Sequence, residues 1–316
     1  MFWAPPISDQ PSAWFGHTPF AAWLIATAKP RLLVELGTYT GVSYAAFCDA
    51  VTRLGLSTRC FAIDTWQGDD QTGNYGEGIF ETFSCIHDSR YSAFSTLLRS
   101  TFDHAVSKFE DASIDLLHID GFHSYEAVKH DFETWRPKLS DQAIVLLHDS
   151  NERAPGFGVW RFWKELSGSF PSFEFMHSHG LGVLCYGKNA APALQALCDL
   201  DDTGISLVQR RFQAVGDRWS TEFRNSLNSH EIARRDNRII DLERQLTEQS
   251  GSFDRSLQAL LDRVDGLRRS VIERENAIAE IRRSTSWRLT GPIRKIVGWM
   301  RRSPTPPDTH TLEQQP

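Results

Sequence analysis

Acidic and histidine side chains cluster at two points of the sequence, each directly after a short apolar run. Asp120 and His123 follow the first run, and His148 and Asp149 follow the second. Two carboxylates and two imidazoles brought together could ligate a divalent cation and leave one imidazole free to accept a proton. Oxygen ligands suit magnesium or manganese, and an imidazole ligand moves the preference towards manganese or iron. We therefore predict that these four residues form one site.

A second group of residues has the spacing of a nucleoside-binding edge. Gly37 and Gly41 lie between an apolar run and a helical pattern, where they allow a tight turn and bring a ligand close to free backbone N–H groups. Their spacing is Gly-x-x-x-Gly, which differs from the dinucleotide-binding motif, and no Lys-Ser/Thr follows as in a phosphate loop. Asp64 ends the next run and could accept hydrogen bonds from two ribose hydroxyls, or cap a helix instead. Together the loop and Asp64 favour a bound nucleoside over a turn kept only for packing.

Short apolar runs separated by helical patterns must position these residues. The runs are 31–36, 60–64, 95–99, 114–119 and 143–147, and residues 173–176 and 181–186 follow as a closing antiparallel hairpin. Near-continuous apolar strands that alternate with helices are typical of a parallel sheet covered on both faces. We therefore predict a doubly wound, Rossmann-like α/β domain over residues 1–188, with its ligand site at the carboxyl ends of the strands.

Four segments, taken in order, resemble the class I S-adenosylmethionine-dependent methyltransferases. More narrowly, they are similar to the bacterial sugar and macrolide O-methyltransferases and the cephalosporin-hydroxylase-like proteins. The segments are VELGTYTG (34–41), AIDTWQGD (62–69), LHIDGFHSY (117–125) and LLHD (146–149). The resemblance covers roughly residues 12–187 and implies a Rossmann-like fold with S-adenosylmethionine as the cofactor.

The resemblance also implies roles for single residues. The methionine portion of the cofactor would lie against the loop after the first strand, the ribose against Asp64, and the adenine near Ser100 and Thr101. In the metal-dependent sugar methyltransferases, residues matching Asp120 and an acidic pair at the end of the fifth strand hold magnesium, and the residue matching His123 is the general base. The implied cofactor-binding residues are Glu35, Gly37, Thr38, Gly41, Asp64, Ser100, Thr101 and Asp120, the catalytic residues His123 and Asp120, and the metal ligands Asp120, His148 and Asp149.

The chain departs from that pattern at one position. His148 stands where the metal-dependent family has a carboxylate beside Asp149. This change bears both on whether a metal binds and on which metal, Mg²⁺ or Mn²⁺, would be preferred. A metal that coordinates a sugar hydroxyl lowers the pKa of that hydroxyl, and His123 could take the proton as the methyl group arrives.

Aromatic residues and a glycine-rich acidic segment accompany these motifs. Trp66, Tyr75, Phe80, Trp14 and His17 could cover a sugar substrate, although such residues more often fill a core. Residues 67–78 have the composition of a mobile loop and could act as a lid.

Charge divides the chain near residue 188. Residues 1–188 contain 14 Lys and Arg against 22 Asp and Glu, a net charge of −8, whereas residues 189–316 contain 20 against 18, a net charge of +2. The five cysteines are widely spaced without a CxxC pair, which favours a reducing compartment and argues against a disulfide framework or a cysteine zinc site. The first residues lack a secretory-signal pattern and no apolar stretch is long enough to span a membrane, so we predict a cytoplasmic protein.

Helical periodicity dominates the second part of the chain. We predict a helical linker over 189–230 and a coiled coil over 231–285 that makes the protein a homo-oligomer, either dimer or trimer. An extra four-residue step between Phe253 and Leu257 would unwind the supercoil locally. A single long helix folded back on the globule is the alternative. The apolar seam consists of Ile239, Leu242, Leu246, Phe253, Leu257, Leu260, Val264, Leu267, Val271, Ile278 and Ile281, with Gln249 and Arg274 at two seam positions.

A basic amphipathic helix is predicted over residues 286–302. Residues 282–302 contain seven Lys and Arg and no acidic residue, and the segment 284–295 resembles a motif that follows coiled coils in bacterial polysaccharide-building proteins. Peripheral attachment to the inner face of the plasma membrane and contact with a glycan-assembly complex both fit this composition. The acidic globule, without a recognised nucleic-acid module, argues against nucleic-acid binding. Residues 303–316, rich in Pro and Thr, are predicted to be disordered.

These observations favour an S-adenosylmethionine-dependent O-methyltransferase that acts on a saccharide hydroxyl in surface-polysaccharide biosynthesis. The alternative is a non-catalytic methyltransferase-like scaffold, oligomerised by its coiled coil, which the replacement at His148 favours. A third hypothesis is an iron-dependent oxygenase on the same fold. The acceptor sugar and its hydroxyl position are not encoded in any motif.

Overall fold

The computed structural model describes residues 3–7, 10, 12–69, 73, 74 and 76–300, with the side chains of residues 69 and 74 left aside. It divides into two compact units, Met1–Ile232 and Ala233–Pro316. The strands of the main sheet are β1 Leu32–Leu36, β2 Arg59–Asp64, β3 Ser95–Arg99, β4 Ile114–Ile119, β5 Leu139–His148, β6 Ser172–Phe175 and β7 Leu181–Cys185. The α-helices are α1 Thr18–Ala28, α2 Val42–Leu54, α3 Glu77–Arg90, α4 Phe102–Ala105, α5 Tyr125–Trp135, α6 Val159–Ser167, α7 Pro192–Cys198, α8 Asp202–Arg283, α9 Thr285–Leu289 and α10 Gly291–Met300.

The seven strands form one sheet in the order β3-β2-β1-β4-β5-β7-β6. Strands β1 to β5 are parallel, and β7 and β6 close the sheet as an antiparallel pair. The doubly wound α/β fold predicted from the apolar runs is therefore confirmed. The chain order reverses between β1 and its neighbour β4, and such a reversal opens a crevice at the carboxyl ends of the two strands.

Side chains of the central strands alternate between two apolar cores, one on each face of the sheet. Leu33 points to the core formed with α1 and α2, which contains Phe20 and Phe47. The next residue, Val34, points to the opposite core formed with α5 and α6, which contains Trp135 and Phe162. Burial of each large apolar side chain contributes about 1.5–3 kcal/mol. Both faces of the sheet are thus covered, and the crevice edge is left for polar residues.

Helix α7 and the first turns of α8 belong to the first unit. Phe212, Trp219 and Phe223 pack against the core on the α1 side. Gly216 marks the closest approach, because a Cβ there would lie 2.3 Å from the backbone oxygen of Gly16. Much of the region predicted as a linker therefore helps to form the first unit.

The second unit consists of helices. Helix α8 continues without interruption to Arg283, and α9 and α10 follow it. The apolar positions of the predicted seam are exposed, and Leu246 is 69% exposed. The long helix is confirmed, whereas its pairing into a coiled coil stays a prediction. Within the described ranges, no helix combines the length and apolar character needed to cross a bilayer.

The structure adds helices that the sequence patterns did not predict. Helix α3 buries only Phe83 and His87, so its apolar periodicity is weak, and α6 is only nine residues long. Where a lid was predicted, a short antiparallel pair joins Gly68–Asp69 to Gly73–Asn74, and α3 begins directly afterwards. Tyr75 and residues 70–72 of this segment lie outside the described residues, as do residues 301–316 with the predicted disordered segment.

Candidate active site at the carboxyl ends of the strands

The loop after β1 is shaped by two glycines in left-handed backbone conformations. Gly37 has φ +85° and Gly41 has φ +80°. A Cβ on Gly37 would lie 2.0 Å from the backbone oxygen of Asp120, and one on Gly41 would lie 2.0 Å from the ring of Phe83. These positions therefore require glycine, and the loop passes close to the end of β4.

Asp64, at the end of β2, fixes that loop through backbone hydrogen bonds. Its Oδ2 accepts from the N–H groups of Thr38 at 2.8 Å and Tyr39 at 2.9 Å, and its Oδ1 accepts from the N–H of Trp66 at 2.7 Å. A carboxylate offers about four acceptor positions, so Oδ1 keeps one for a ligand. Asp64 thus organises the edge of the site and faces the cavity beside it.

One cavity of about 620 Å³ lies along the carboxyl ends of β1, β2, β4 and β5. Its volume falls in the range of about 300–1,000 Å³ that is usual for small-molecule sites. Most of the predicted site residues line it: Gly37, Thr38, Asp64, Thr101, Asp120, His123, His148 and Asp149. The predicted cofactor-binding residues Glu35, Gly41 and Ser100 do not line it, and Ser100 instead donates to the backbone oxygen of Thr101.

Glu35 lies beneath the cavity rather than on its wall. Its carboxylate is fully buried and contacts Nδ1 of His118 at 2.8 Å. Burial raises the pKa of Glu35, although the hydrogen bond to His118 opposes this effect. Within the described structure, Glu35 Oε1 and His118 Nε2 have no hydrogen-bond partner. The sequence patterns did not predict this buried pair, because Glu35 and His118 meet only through the pairing of β1 with β4.

The two carboxylates and two imidazoles predicted to form one site do meet. His123 Nε2 lies 2.9 Å from Asp149 Oδ2 and 3.7 Å from Asp120 Oδ1. His148 Nδ1 lies 3.2 Å from an oxygen of each carboxylate. We call these four residues the carboxylate–imidazole cluster. Asp149 has φ +60°, a conformation that is uncommon for a non-glycine residue and that aims its side chain from the end of β5 into the cluster.

Mutual charge stabilisation shifts the pKa values within this cluster. Burial alone would lower the pKa of His123, but its contacts with Asp120 and Asp149 raise it to about 9. The same carboxylates outweigh burial at His148 and raise its pKa to about 10. Burial alone would raise the pKa of both carboxyls, but the positive charge of His148 lowers the pKa of Asp149 to about 2 and holds that of Asp120 well below its ordinary value. Two negative and two positive charges therefore balance in the cluster at neutral pH.

The donor set of this cluster fits a divalent cation. Among the described residues, Asp120, His123 and Asp149 each offer a ligand atom, and these atoms all lie within 4.8 Å of one another. Carboxylate oxygens with one imidazole nitrogen suit Mg²⁺ or Mn²⁺. The imidazole in this set is that of His123, which the sequence analysis assigned as the base, whereas His148 was assigned as the ligand.

Several residues of the cavity were not predicted from the sequence. The Phe157 ring stacks on the imidazole of His123 with centroids 4.9 Å apart. Glu152 and His179 also line the cavity, and Glu152 Oε2 lies 2.6 Å from His179 Nδ1. The sequence could have pointed to Glu152, because it follows Asp149 by three residues. It could not have pointed to His179, which reaches the site only through the β6–β7 hairpin.

The aromatic residues proposed as a cover divide into two groups. Trp14 lines the cavity although it is only 2% exposed. Trp66 does not line it: its side chain is buried against Phe80, and its indole N–H donates to the backbone oxygen of Tyr39 at 2.9 Å. His17 is fully buried, and its Nε2 lies 3.4 Å from the backbone oxygen of Ser178. Among the described members of this group, Trp14 is the one that lines the cavity and could touch a ligand.

One protein-family model matches the part of the chain that contains this site. A family model described as a methyltransferase domain matches residues 34–150. The match covers about a third of the chain and includes the glycine loop, Asp64 and the carboxylate–imidazole cluster. The matched range contains all four motifs that resemble the methyltransferases.

A curated relative extends the similarity beyond that range. The protein named Uncharacterized protein y4gI, from Sinorhizobium fredii (strain NBRC 101917 / NGR234), is 50% identical to this chain over 200 residues. The aligned part covers 63% of this chain and 22% of the relative. The chain therefore spans about a fifth of the length of the curated relative that it matches.

Solved structures with similarity to the chain include three methyltransferases. The O-methyltransferase TomG from Streptomyces achromogenes, solved with SAM, is 16% identical with a TM-score of 0.42, covering 57% of this chain and 82% of that one. A methyltransferase from Geobacter sulfurreducens is 18% identical with a TM-score of 0.41 and coverages of 57% and 79%. The SAH-bound methyltransferase PaMTH1 from Podospora anserina is 14% identical with a TM-score of 0.35 and coverages of 67% and 69%. At these identities and scores, no cofactor, substrate or residue role is transferred to this chain.

Proposed function

We propose that this chain, whose residues 34–150 match a methyltransferase family model, is an S-adenosylmethionine-dependent O-methyltransferase. One observation carries the proposal: a single cavity is lined both by the glycine loop with Asp64 and by the carboxylate–imidazole cluster. The first part is suited to a nucleoside cofactor and the second to a hydroxyl that must lose a proton. Transfer of a methyl group between the two needs them side by side.

The residues around the glycine loop fit the cofactor. At Gly37 the loop has no side chain, so its backbone lies directly against the cavity. Asp64 Oδ1 keeps one acceptor position for a ribose hydroxyl. Thr101 and Phe102 line the wall where an adenine would lie. The buried hydroxyl of Thr38 has no hydrogen-bond partner within the described structure, and it too lies on this wall. When bound, S-adenosylmethionine supplies an electrophilic methyl group on a good leaving group.

His123 is the proposed general base. Phe157 stacks on its ring and Asp149 contacts its Nε2, so both neighbours fix the orientation of the imidazole. Because the pKa of His123 is raised to about 9, Nε2 carries a proton at neutral pH and must release it before it can accept one from an acceptor hydroxyl. Weakening of the contact with Asp149 when an acceptor or a cation binds would lower the pKa of His123 towards the working range.

A divalent cation, Mg²⁺ or Mn²⁺, is the proposed partner of the two carboxylates. Asp120 and Asp149 would hold it, with His148 as a further ligand so that His123 stays available as the base, and the cation would lower the pKa of a coordinated hydroxyl. Manganese provides the test, since its electron paramagnetic resonance signal changes on binding, whether or not the protein is active. We expect the wild-type protein to bind Mn²⁺, and the variant Asp120→Ala with Asp149→Ala to lose this binding. An unchanged spectrum with the wild-type protein would exclude a manganese site.

The proposed acceptor is a saccharide hydroxyl of a surface-polysaccharide precursor. Besides the cluster, the cavity is lined by the polar pair Glu152 and His179 and by the aromatic residues Trp14 and Phe157, a mixture suited to a sugar ring. Mass spectrometry of surface glycans from a deletion strain tests the assignment. The glycans should lose one methylene mass per missing methyl group, and an unchanged glycan profile would count against this acceptor.

The direct test of the reaction follows transfer of a labelled methyl group from S-adenosylmethionine to a glycan extract of the deletion strain. Removal of a general base lowers rates by about 10²–10⁴-fold, so we expect His123→Ala to lose that much activity. Asp120→Ala should also lose activity. The matched control is His130→Ala, since His130 is an exposed histidine outside the cavity. Undiminished transfer by both site variants would show that the assigned site is wrong.

A non-catalytic scaffold is the second candidate, favoured by His148 in the place of a carboxylate. His148 contacts both Asp120 and Asp149 at 3.2 Å, where its positive charge balances theirs. A scaffold would bind S-adenosylmethionine, or a saccharide, without transferring the methyl group. Binding of the cofactor without turnover on any glycan extract, with or without Mg²⁺ or Mn²⁺, would favour this candidate.

A further inference from the structure

Helix α10 exposes one apolar face. Ile293, Ile296, Val297 and Met300 fall within about 100° of the helix circumference, because successive residues of an α-helix are about 100° apart. All four are exposed, from 43% at Val297 to 72% at Met300. A face of this kind lowers its free energy by contact with another apolar phase, and the described part of the chain does not cover it.

Basic residues accompany this face. Arg294 lies beside the apolar stripe and Lys295 on the opposite face of the helix, and Arg288 of α9 precedes them. Residues 282–302 carry seven Lys and Arg and no Asp or Glu. Trp299, 79% exposed, lies between the apolar stripe and Lys295. Indole rings favour the boundary between hydrocarbon and water. Trp299 therefore lies where the helix surface changes from apolar to basic side chains.

The junction between α9 and α10 is held by local contacts. The guanidinium of Arg294 lies 3.5 Å from the ring centroid of Trp287 and also donates to the hydroxyl of Thr290. Ser284 caps α9 by accepting from the N–H of Trp287. These contacts make α9 and α10 an ordered pair of helices rather than an extended basic segment.

We propose that α10 binds an anionic membrane surface, with its apolar face in the lipid interface and its basic residues among the headgroups. Charge complementarity selects this occupant, because a segment with several basic and no acidic residues gains little from a neutral partner. At about 1.5 Å per residue, the ten residues of α10 span about 15 Å, half of the roughly 30 Å hydrocarbon core, so the helix lies on the membrane and does not cross it. This inference does not depend on the proposed reaction.

Flotation of the full-length protein with lipid vesicles tests the proposal. We expect binding to phosphatidylcholine vesicles that contain phosphatidylglycerol, weak binding to phosphatidylcholine alone, and release at high salt. Arg288→Gln with Lys295→Gln should weaken binding by about tenfold or more, because each basic residue near an anionic surface contributes to the attraction. Ile296→Glu should abolish binding through loss of the apolar contact.

A matched control separates this surface from general charge effects. Arg255→Gln with Arg269→Gln changes the net charge equally on the exposed part of α8, and it should leave vesicle binding unchanged. Circular dichroism of each variant checks that the helices remain folded. Equal binding to vesicles with and without phosphatidylglycerol, or full binding by Ile296→Glu, would overturn the proposal. So would a change in oligomeric state of Ile296→Glu without any change in vesicle binding, because the face would then contact another copy of the chain.

Discussion

The carboxylates of Asp120 and Asp149 share the imidazoles of His123 and His148 in one charge-balanced cluster. Neither imidazole would be fully protonated at neutral pH in water, where the pKa of histidine is about 6.5. The two acids raise the pKa of His123 to about 9 and of His148 to about 10, so both carry protons at neutral pH. Both imidazoles of the cluster are therefore protonated before a ligand binds, and His123 can act as a base only after it has released its proton.

Titration of His123 tests this description. In protein treated with a chelator, we expect the ring signals of His123 in nuclear magnetic resonance spectra to report a pKa of about 9, assigned by comparison with His123→Gln. Asp149→Asn removes one of the charges that raise this pKa and should lower it by at least about one unit. His130, exposed and outside the cavity, should not change in Asp149→Asn. A pKa near the ordinary value for His123 in the wild-type protein would contradict the ion-pair geometry.

Asp131 gives a separate prediction about stability. It is 7% exposed on α5, and burial raises its pKa to about 7. A carboxyl whose pKa is raised on folding stabilises the fold below the unfolded pKa, and this contribution is lost as the pH rises from about 4 to about 7. At pH 8 the ionised group therefore lowers the free energy of unfolding, by up to about 4 kcal/mol for a shift of this size.

We expect Asp131→Asn to raise the free energy of unfolding at pH 8, because the amide cannot ionise. The difference from the wild-type protein should disappear near pH 4. Urea unfolding at both pH values measures it, and Glu133→Gln, an exposed acid on the same helix, is the matched control. If the variant were no more stable than the wild-type protein at pH 8, ionised Asp131 would not lower the free energy of unfolding.

The strands of the sheet were the elements most accessible from the sequence. β3 and β4 have the predicted bounds, because parallel strands buried on both faces form continuous apolar runs that end at polar residues. The ends of those runs also identified most of the cavity, since carboxyl ends of parallel strands share one edge. Helix α3 was missed because few of its residues are buried, and His179 because no local pattern connects it to the site. The pair of Glu35 and His118 depends on strand register, which the sequence does not specify residue by residue.

The start of α8 packs so closely against Gly16 that one added methyl group at Gly216 should lower the stability of the fold. Gly216→Ala places a Cβ 2.3 Å from the backbone oxygen of Gly16, so the helix must shift. Overpacking of this kind costs about 1–3 kcal/mol, which exceeds the gain in helix propensity of about 1 kcal/mol. The matched control is Gly266→Ala on the same helix, where no atom lies within 4 Å of the new Cβ. We expect thermal unfolding to show a lower melting temperature for the first variant and not for the second; the reverse order would contradict the packing of α8.

Because the apolar seam of α8 is exposed, we propose that the chain self-associates as a dimer or trimer. Leu260 and Leu267 are both 61% exposed, and burial against another copy would remove them from water. Sedimentation velocity should show an oligomer for the wild-type protein and a shift towards monomer for Leu260→Asp. Ala259→Asp, which adds the same charge next to the seam, should keep the oligomer. A monomeric wild-type protein would contradict the coiled coil.

The proposed chemistry and the proposed surface contacts belong to different units of the chain. The first unit, Met1–Ile232, contains the sheet and the cavity, and the second, Ala233–Pro316, contains exposed helix with an apolar seam and a basic amphipathic segment. The acidic net charge of residues 1–188, −8, includes Asp64, Asp120 and Asp149, so part of it belongs to the site itself. The proposed methyl transfer therefore depends on the first unit, and the proposed oligomer and membrane contacts on the second.

Cofactor binding is the most direct test of the proposed function. Titration calorimetry of the full-length protein with S-adenosylmethionine should give one-to-one binding. Asp64→Ala should weaken that binding by about tenfold or more, since it removes a charged acceptor for the ribose and the group that fixes the glycine loop. Glu110→Gln, an exposed acid outside the cavity, should bind as the wild-type protein does. No binding of S-adenosylmethionine by the wild-type protein, with or without Mg²⁺ or Mn²⁺, would contradict the assignment of the cavity as a methyltransferase active site.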